Sequence, residues 1–153
     1  MKKILLSVAL MGLTVGILSG GDASAGKRIQ FSLGISGLFV KPDTGDARGL
    51  IGPAAAVYFN LGRSLSIAPE LTVGIGGVYA GSTVNVRFRK VFVGAGGGLL
   101  YFYSENQDIQ GDGMLKVQIG AMGSDWMFAA AFVSNVFSGA WLSGAQVTVG
   151  YVF

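Results

Sequence analysis

The sequence predicts an all-β fold, a closed eight-stranded antiparallel up-and-down β-barrel that crosses a membrane, after an N-terminal signal peptide. Three observations predict it. Of the 153 residues, 51% are hydrophobic, only 12% are charged, and 26 are glycine. After the first 25 residues, no run of about 18 uninterrupted apolar residues marks a transmembrane helix. Apolar residues recur instead at every second position, which is the period of a β-strand.

The first 25 residues have the pattern of a secretory signal peptide. Lys2 and Lys3 form a positive n-region, an apolar stretch of about 15 residues follows them, and the Ala-Ser-Ala at 23–25 supplies a cleavage site. The alternative is an uncleaved membrane helix, but the stretch is shorter than the roughly 20 residues that span a bilayer. We therefore expect residues 26–153 to form the barrel domain.

Eight alternating runs account for that domain. The alternation is clearest at residues 29–39, 65–75, 84–88, 115–121 and 147–153. Segments rich in Gly, Pro, Asp and Asn separate the runs, as expected of turns. The strands are therefore expected at residues 28–40, 50–60, 65–78, 82–89, 91–103, 114–122, 125–133 and 144–153.

The lengths of the connections fit a barrel in a bilayer. Eight strands leave about 16 residues for each strand with its connection, and a tilted strand needs about 9–11 of them to cross. Long connections alternate with short ones, as is typical of membrane-spanning barrels. The long ones are expected at 41–49, 104–113 and 134–143, and the short ones at 60–64, 89–90 and 122–125. The connection expected at 79–82 is the exception. It belongs to the set of long connections, on the same side of the membrane, but it is short.

The C-terminal strand carries the most specific signal. It reads Val147-Thr-Val-Gly-Tyr-Val-Phe153, with Val149, Tyr151 and Phe153 at alternate positions. A final aromatic residue after alternating apolar residues resembles the last strand of bacterial outer-membrane barrels, where it is the recognition signal for the barrel-assembly machinery. With its signal peptide and eight strands, the chain resembles the small OmpA/OmpX-type barrels. The resemblance implies an integral protein of the bacterial outer membrane, in contact with lipid and lipopolysaccharide.

The apolar side of each strand is expected to face lipid, with aromatic residues at the two interfaces. We expect one aromatic edge to contain Phe88, Trp126, Tyr151 and Phe153, and the other Phe39, Tyr79, Tyr101 and Tyr103. The alternative is a soluble β-sandwich with these aromatics in its core. A sandwich would need a more charged exterior than 12% charged residues can supply.

The opposite side of each strand is expected to fill the lumen, because eight strands enclose little more than side chains. The predicted polar cluster of the lumen consists of Glu70, Arg87, Lys116 and Gln118. Glu70 is expected between Arg87 and Lys116, since an unpaired buried charge is costly. Glycines at 94, 96 and 98 would give the long side chains room. We interpret the cluster as a core that supports the barrel; the alternative is an ion-selective or gated lumen.

Nothing in the sequence indicates catalysis. Small barrels that act on lipid A or cleave peptides use His with Ser and an acidic residue, or Asp with His, and this chain has no His and no Cys. A Ser–Lys pair would require a serine beside Lys116, and none is assigned there. We therefore predict no enzyme, no cofactor, and a non-catalytic structural or surface-interaction role. A narrow pore or small-solute transport barrel is the alternative.

Other apparent motifs are weak. The Gly-Ala-Gly-Gly-Gly at 94–98 is not followed by the helix of a phosphate-binding loop. The segment at 108–113 has Ile119, not Glu, at the twelfth position of a calcium loop, which leaves at most weak divalent binding by acidic loop residues at 105, 108 and 112. No metal site is predicted. Basic residues cluster only at 87–90, so nucleic acid is not an expected partner.

Overall fold

The structure is a computed structural model that describes residues 28–42, 46–62, 64–103, 110–135 and 142–153. The predicted signal peptide lies outside the described residues. Within them lie eight strands: β1 Ile29–Pro42, β2 Arg48–Asn60, β3 Leu65–Gly74, β4 Gly77–Phe88, β5 Val91–Phe102, β6 Gln110–Met122, β7 Trp126–Asn135 and β8 Leu142–Val152. Consecutive strands pair antiparallel, and β8 pairs with β1. The predicted closed eight-stranded barrel is confirmed.

No helix among the described residues is long and apolar enough to cross a membrane.

The strands are staggered around the barrel. Following the paired residues from Ile29 through the other seven strands returns to β1 at Phe39, ten residues further along. Strand number and stagger together set the diameter of a barrel. Eight strands with this stagger enclose a lumen that side chains can fill.

The alternation predicted from the sequence determines which side chains face outward. Ile35 and Ile119 are 65% and 56% exposed, whereas their chain neighbours Ser36 and Gln118 are buried. The outside of the barrel is therefore apolar, and most buried polar groups lie inside. This is the reverse of a soluble β-sandwich, which the structure excludes.

The turn between β3 and β4 differs from the prediction. It consists of Ile75 and Gly76, between the paired residues Gly74 and Gly77, and not of residues 79–82. Gly76 has a φ of +98°, a conformation that favours glycine. The small residues near position 81 looked like a turn, but Gly81 lies inside β4, where its missing side chain leaves room for the Tyr79 ring.

Tyr79 is consequently misplaced in the prediction. It was expected on the outer surface at an aromatic edge, but its side chain points into the lumen and is 0% exposed. The aromatic residues expected at the opposite edge of the barrel are exposed, as predicted: Phe88, Trp126, Tyr151 and Phe153.

The predicted tight turn at 89–90 is present between the paired residues Phe88 and Val91. Arg89 has a φ of +58°, and it is the one non-glycine residue with positive φ in the described part of the chain. An L-residue with a side chain is strained there by about 1–2 kcal/mol.

We expect Arg89→Gly to raise the free energy of unfolding by about 0.5 kcal/mol, because the relief of strain exceeds the entropy that glycine adds to the unfolded chain. Urea unfolding of the protein in lipid vesicles measures the change. Lys90→Gly, one residue away with an ordinary φ, is the control and should lower the stability. An equal loss in both variants would contradict a strained Arg89.

Candidate functional site: the barrel lumen

The inward side chains form three layers between two ends of the barrel. At the loop end β1, β3, β5 and β7 finish, and at the turn end β2, β4 and β6 finish. The loop-end plug consists of Leu38, Val40, Leu50, Tyr79, Leu100, Phe102, Met114, Val133 and Leu142. The turn-end plug consists of Ala56, Tyr58, Ala68, Phe92, Met122, Met127, Ala129 and Val152. The polar belt between them consists of Ser36, Glu70, Thr72, Thr83, Asn85, Lys116, Gln118, Gln146 and Thr148.

The loop-end plug lies at one mouth of the lumen. Its side chains project inward from seven of the eight strands, and Leu100 is completely buried. The Arg48 guanidinium carbon lies 5.6 Å from the centroid of the Phe102 ring, over the face of the plug. This cation–π contact places a charge at the solvent side and keeps apolar side chains beneath it.

The turn-end plug lies at the other mouth. The Phe92 ring lies over Gly120 on the neighbouring strand, in the space that a Cβ would occupy. The Tyr58 hydroxyl donates a hydrogen bond to the Met127 sulfur at 3.1 Å. Aromatic rings and flexible thioethers thus pack together at this end of the lumen.

The polar belt is centred on an ion pair that crosses the lumen. The Lys116 ammonium on β6 donates to both carboxylate oxygens of Glu70 on β3, at 2.6 and 2.7 Å. The side chains are 2% and 15% exposed. The Lys116 nitrogen also lies 5.6 Å from the centroid of the Tyr79 ring. Lys116 pairs with Gly96 on β5 and Glu70 with Gly81 on β4, and the space beside Gly81 is taken by the Tyr79 ring.

Neutral hydrogen bonds occupy the belt on both sides of the ion pair. The Gln118 amide donates to Thr83 at 3.0 Å and to Asn85 at 2.7 Å. On the other side, the Gln146 amide donates to the Ser36 hydroxyl at 2.9 Å. The belt therefore links strands across the lumen as well as along the wall.

Of the predicted lumen cluster, the structure brings Glu70 and Lys116 together and places Gln118 in the same belt with partners of its own. It does not place Arg87 beside Glu70, which is a correction to the expected arrangement. The Arg87 guanidinium lies at the turn end, where it donates to the Gln30 side-chain oxygen at 3.3 and 3.4 Å and to the Met122 sulfur at 3.1 Å.

The position of the β3–β4 turn explains this difference. The observed turn sets Glu70 opposite Gly81, and Arg87 lies six residues further along β4, about 20 Å away at 3.3 Å per residue. A turn at 79–82 would have brought Arg87 much nearer to Glu70. The misplaced turn is also why Tyr79 was not predicted to face the lumen. The inward direction of Asn85, in contrast, could have been predicted from the alternation, because Asn85 lies between the outward residues Val84 and Val86.

The predicted assembly-signal residues share the outer surface of β8. Val149, Tyr151 and Phe153 all point outward and are more than half exposed. The Tyr151 and Phe153 rings meet edge to face, with centroids 5.0 Å apart. These residues form an accessible aromatic strip at the end of the chain.

A cavity of about 10 Å³, enough for about one water molecule, lies beside the polar belt and is lined by residues that include Ser32, Ala54, Glu70 and Thr148. In the described part of the chain, no three acidic side chains converge on a point that could hold a metal ion. Loop positions 105 and 108, the weak divalent candidates, lie outside the described residues.

We expect Lys116→Met to lower the free energy of unfolding by about 3 kcal/mol, because it leaves the Glu70 carboxylate without its partner in the lumen. The double variant Lys116→Met/Glu70→Gln should recover more than half of the loss, since it removes both charges. Urea unfolding in vesicles compares the two variants. The control is Arg87→Met, which removes a half-exposed charge at the turn end and should lower the free energy of unfolding by less. A double variant no more stable than Lys116→Met would contradict the pairing.

Comparison of the sequence with protein-family models and with curated proteins finds no match. Solved structures do match. Neisserial surface protein A shares 10% identity over 82% of this chain and 96% of its own, with a TM-score of 0.57. The N-terminal β-barrel domain of Pseudomonas aeruginosa OprF shares 15% identity over 80% of this chain and 97% of its own, with a TM-score of 0.51. As the sequence resemblance implied, the chain has the fold of the small eight-stranded outer-membrane β-barrels.

Proposed function

We propose that the chain is a non-catalytic integral protein of the bacterial outer membrane, whose barrel is closed along its axis and which acts through structure and surface contacts. One observation carries the proposal: an apolar plug fills each end of the lumen, and an ion pair crosses the layer between them. Hydrated ions would have to cross two dry apolar layers, which costs far more than movement through water.

The outer surface supports a place in the membrane. Apolar side chains cover the outward face of every strand, and a closed ladder leaves no strand edge to be satisfied by water. Trp126 and Tyr151 on the turn-end rim suit an interface with lipid headgroups. Outer-membrane lipid and lipopolysaccharide are the surroundings that fit this surface, and residues 1–25 would direct export.

The polar belt supports a structural role. Lys116 is the lysine of the belt, and both carboxylate oxygens of Glu70 hold its ammonium group. These hydrogen bonds link β6 to β3. The pair therefore stabilises the barrel, and Lys116 does not serve as the general base of a nucleophile.

We expect the purified protein in planar lipid bilayers to show no steady single-channel openings, because both plugs must be displaced for ions to pass. The double variant Leu100→Ala/Phe92→Ala shortens one buried side chain in each plug and should produce measurable conductance. Steady openings of the unaltered protein would overturn the closed barrel and favour the pore.

The outward strip of β8 is proposed as the signal that the barrel-assembly machinery recognises. We expect Phe153→Ala to lower the amount of folded protein in the outer membrane several-fold, scored by heat-modifiable migration on gels. Phe132→Ala removes an outward Phe of similar exposure from β7 and is the control. Refolding of both variants in detergent should be unaffected, and equal losses of both in cells would contradict a specific signal.

A further inference from the structure

The hairpin between β4 and β5 carries the densest positive charge of the chain. Arg87, Arg89 and Lys90 lie within four residues, a density that no other segment of the sequence reaches. Arg28 lies at the same end of the barrel, because its carbonyl accepts a hydrogen bond from the Asn60 N–H at 2.7 Å. The closed, non-catalytic barrel gives these charges no role.

The charge of Arg87 is not neutralised by a carboxylate. Its guanidinium lies at the turn end, where both of its acceptors, the Gln30 side-chain oxygen and the Met122 sulfur, are neutral. In the part of the chain that the structure describes, Glu70 and Lys116 form the one ion pair. Arg87 therefore adds positive charge directly behind the end of the hairpin.

The hairpin tip, residues 88–91, lies at the outer edge of the barrel wall. Arg89 and Lys90 are exposed, and they are flanked by the outward side chains of Phe88 and Val91, which are 65% and 46% exposed. Outward apolar and aromatic residues face hydrocarbon and its boundary, so the two cations between them lie at the level of the lipid headgroups. The next turn along this end, residues 123–125, contains no cation and carries an acidic residue at 125.

The backbone fixes the tip in an unfavourable conformation. Arg89 has a φ of +58°, where glycine would be unstrained. The Lys90 carbonyl accepts from the Met122 N–H at 2.7 Å, and the Arg87 N–H donates to the Ser64 carbonyl at 2.7 Å, so the neighbouring strands hold the tip on both sides. Strained residues of this kind occur at binding sites, where the side chain matters more than the strain.

We propose that the β4–β5 hairpin tip binds the phosphate of an anionic phospholipid in the leaflet that surrounds the turn end, which is the periplasmic leaflet in barrels of this type. The Arg89 guanidinium supplies paired N–H donors to the phosphate oxygens, and the Lys90 ammonium adds a second charge beside it. Phe88 lies among the acyl chains. The proposal rests on the proposed place of the chain in the membrane.

Two tryptophan reporters at the turn end allow a direct test. The first protein carries Phe88→Trp with Trp126→Phe and Trp141→Phe, and the second carries Trp141→Phe alone, so that its remaining reporter is Trp126 on β7. Each is folded into phosphatidylcholine vesicles that contain increasing fractions of acyl-brominated phosphatidylglycerol or acyl-brominated phosphatidylcholine. Bromine quenches the fluorescence of a tryptophan that it approaches, so the two titrations compare the two lipids at one place on the barrel.

We expect the Phe88→Trp reporter to reach half-maximal quenching at an about fivefold lower fraction of phosphatidylglycerol than of phosphatidylcholine, since one basic residue near an anionic surface contributes a factor of about five. At Trp126 the two lipids should quench alike. Adding Arg89→Gln with Lys90→Gln to the first protein should abolish its preference. Lys41→Gln, which removes an exposed lysine from the loop end, is the matched control and should leave the preference intact.

Raising NaCl from about 50 mM to about 500 mM tests the same site without altering the tip, and the preference should weaken because salt screens exposed charges. Glycerol phosphate, added at constant ionic strength, should not displace the lipid. Displacement would show that the tip takes a free phosphate and would overturn the lipid as its occupant.

The remaining outcomes separate this site from the proposed function. Equal quenching of the Phe88→Trp reporter by the two lipids would overturn the site and leave the membrane barrel standing. An equal preference at both reporters would show attraction by the net charge of the protein, and the site would again fail. If neither lipid quenched either reporter, the turn end would not lie in the bilayer, and both proposals would fail.

Discussion

The structure depends on the closure of one hydrogen-bonded sheet. Because β8 pairs with β1, each strand has two neighbours, and the wall has no free edge. Closure also fixes the two faces: once the register is set, every second side chain points out and the others point in. The apolar exterior and the inward-facing polar belt both follow from this requirement.

The lumen shows how a narrow barrel can bury charge. Glu70 on β3 and Lys116 on β6 come from strands that are not neighbours, and their side chains meet inside the barrel. Apolar layers lie above and below the pair. Such low-dielectric surroundings strengthen the attraction of the pair and raise the cost of breaking it. The pair therefore makes a single arrangement of the interior favourable over shifted ones.

The period of two predicted the number of strands, the face of most residues, and that Glu70 and Lys116 both point inward. It could not predict contacts that depend on register. A turn displaced by a few residues slid β4 along β3, which separated Arg87 from Glu70 and turned Tyr79 from an interface residue into a lumen residue. The Phe92–Gly120 contact likewise required the stagger of the closed barrel, which periodicity does not contain.

The inward methionines have a chemical consequence. Met114, Met122 and Met127 are the methionines that follow the signal region, and they are 2%, 5% and 3% exposed within the plugs. With no cysteine in the chain, the sulfur of the barrel is confined to its interior. Oxidants in the surroundings therefore meet a surface free of thiols and thioethers, and any sulfoxide formed on the protein would record that a plug had opened.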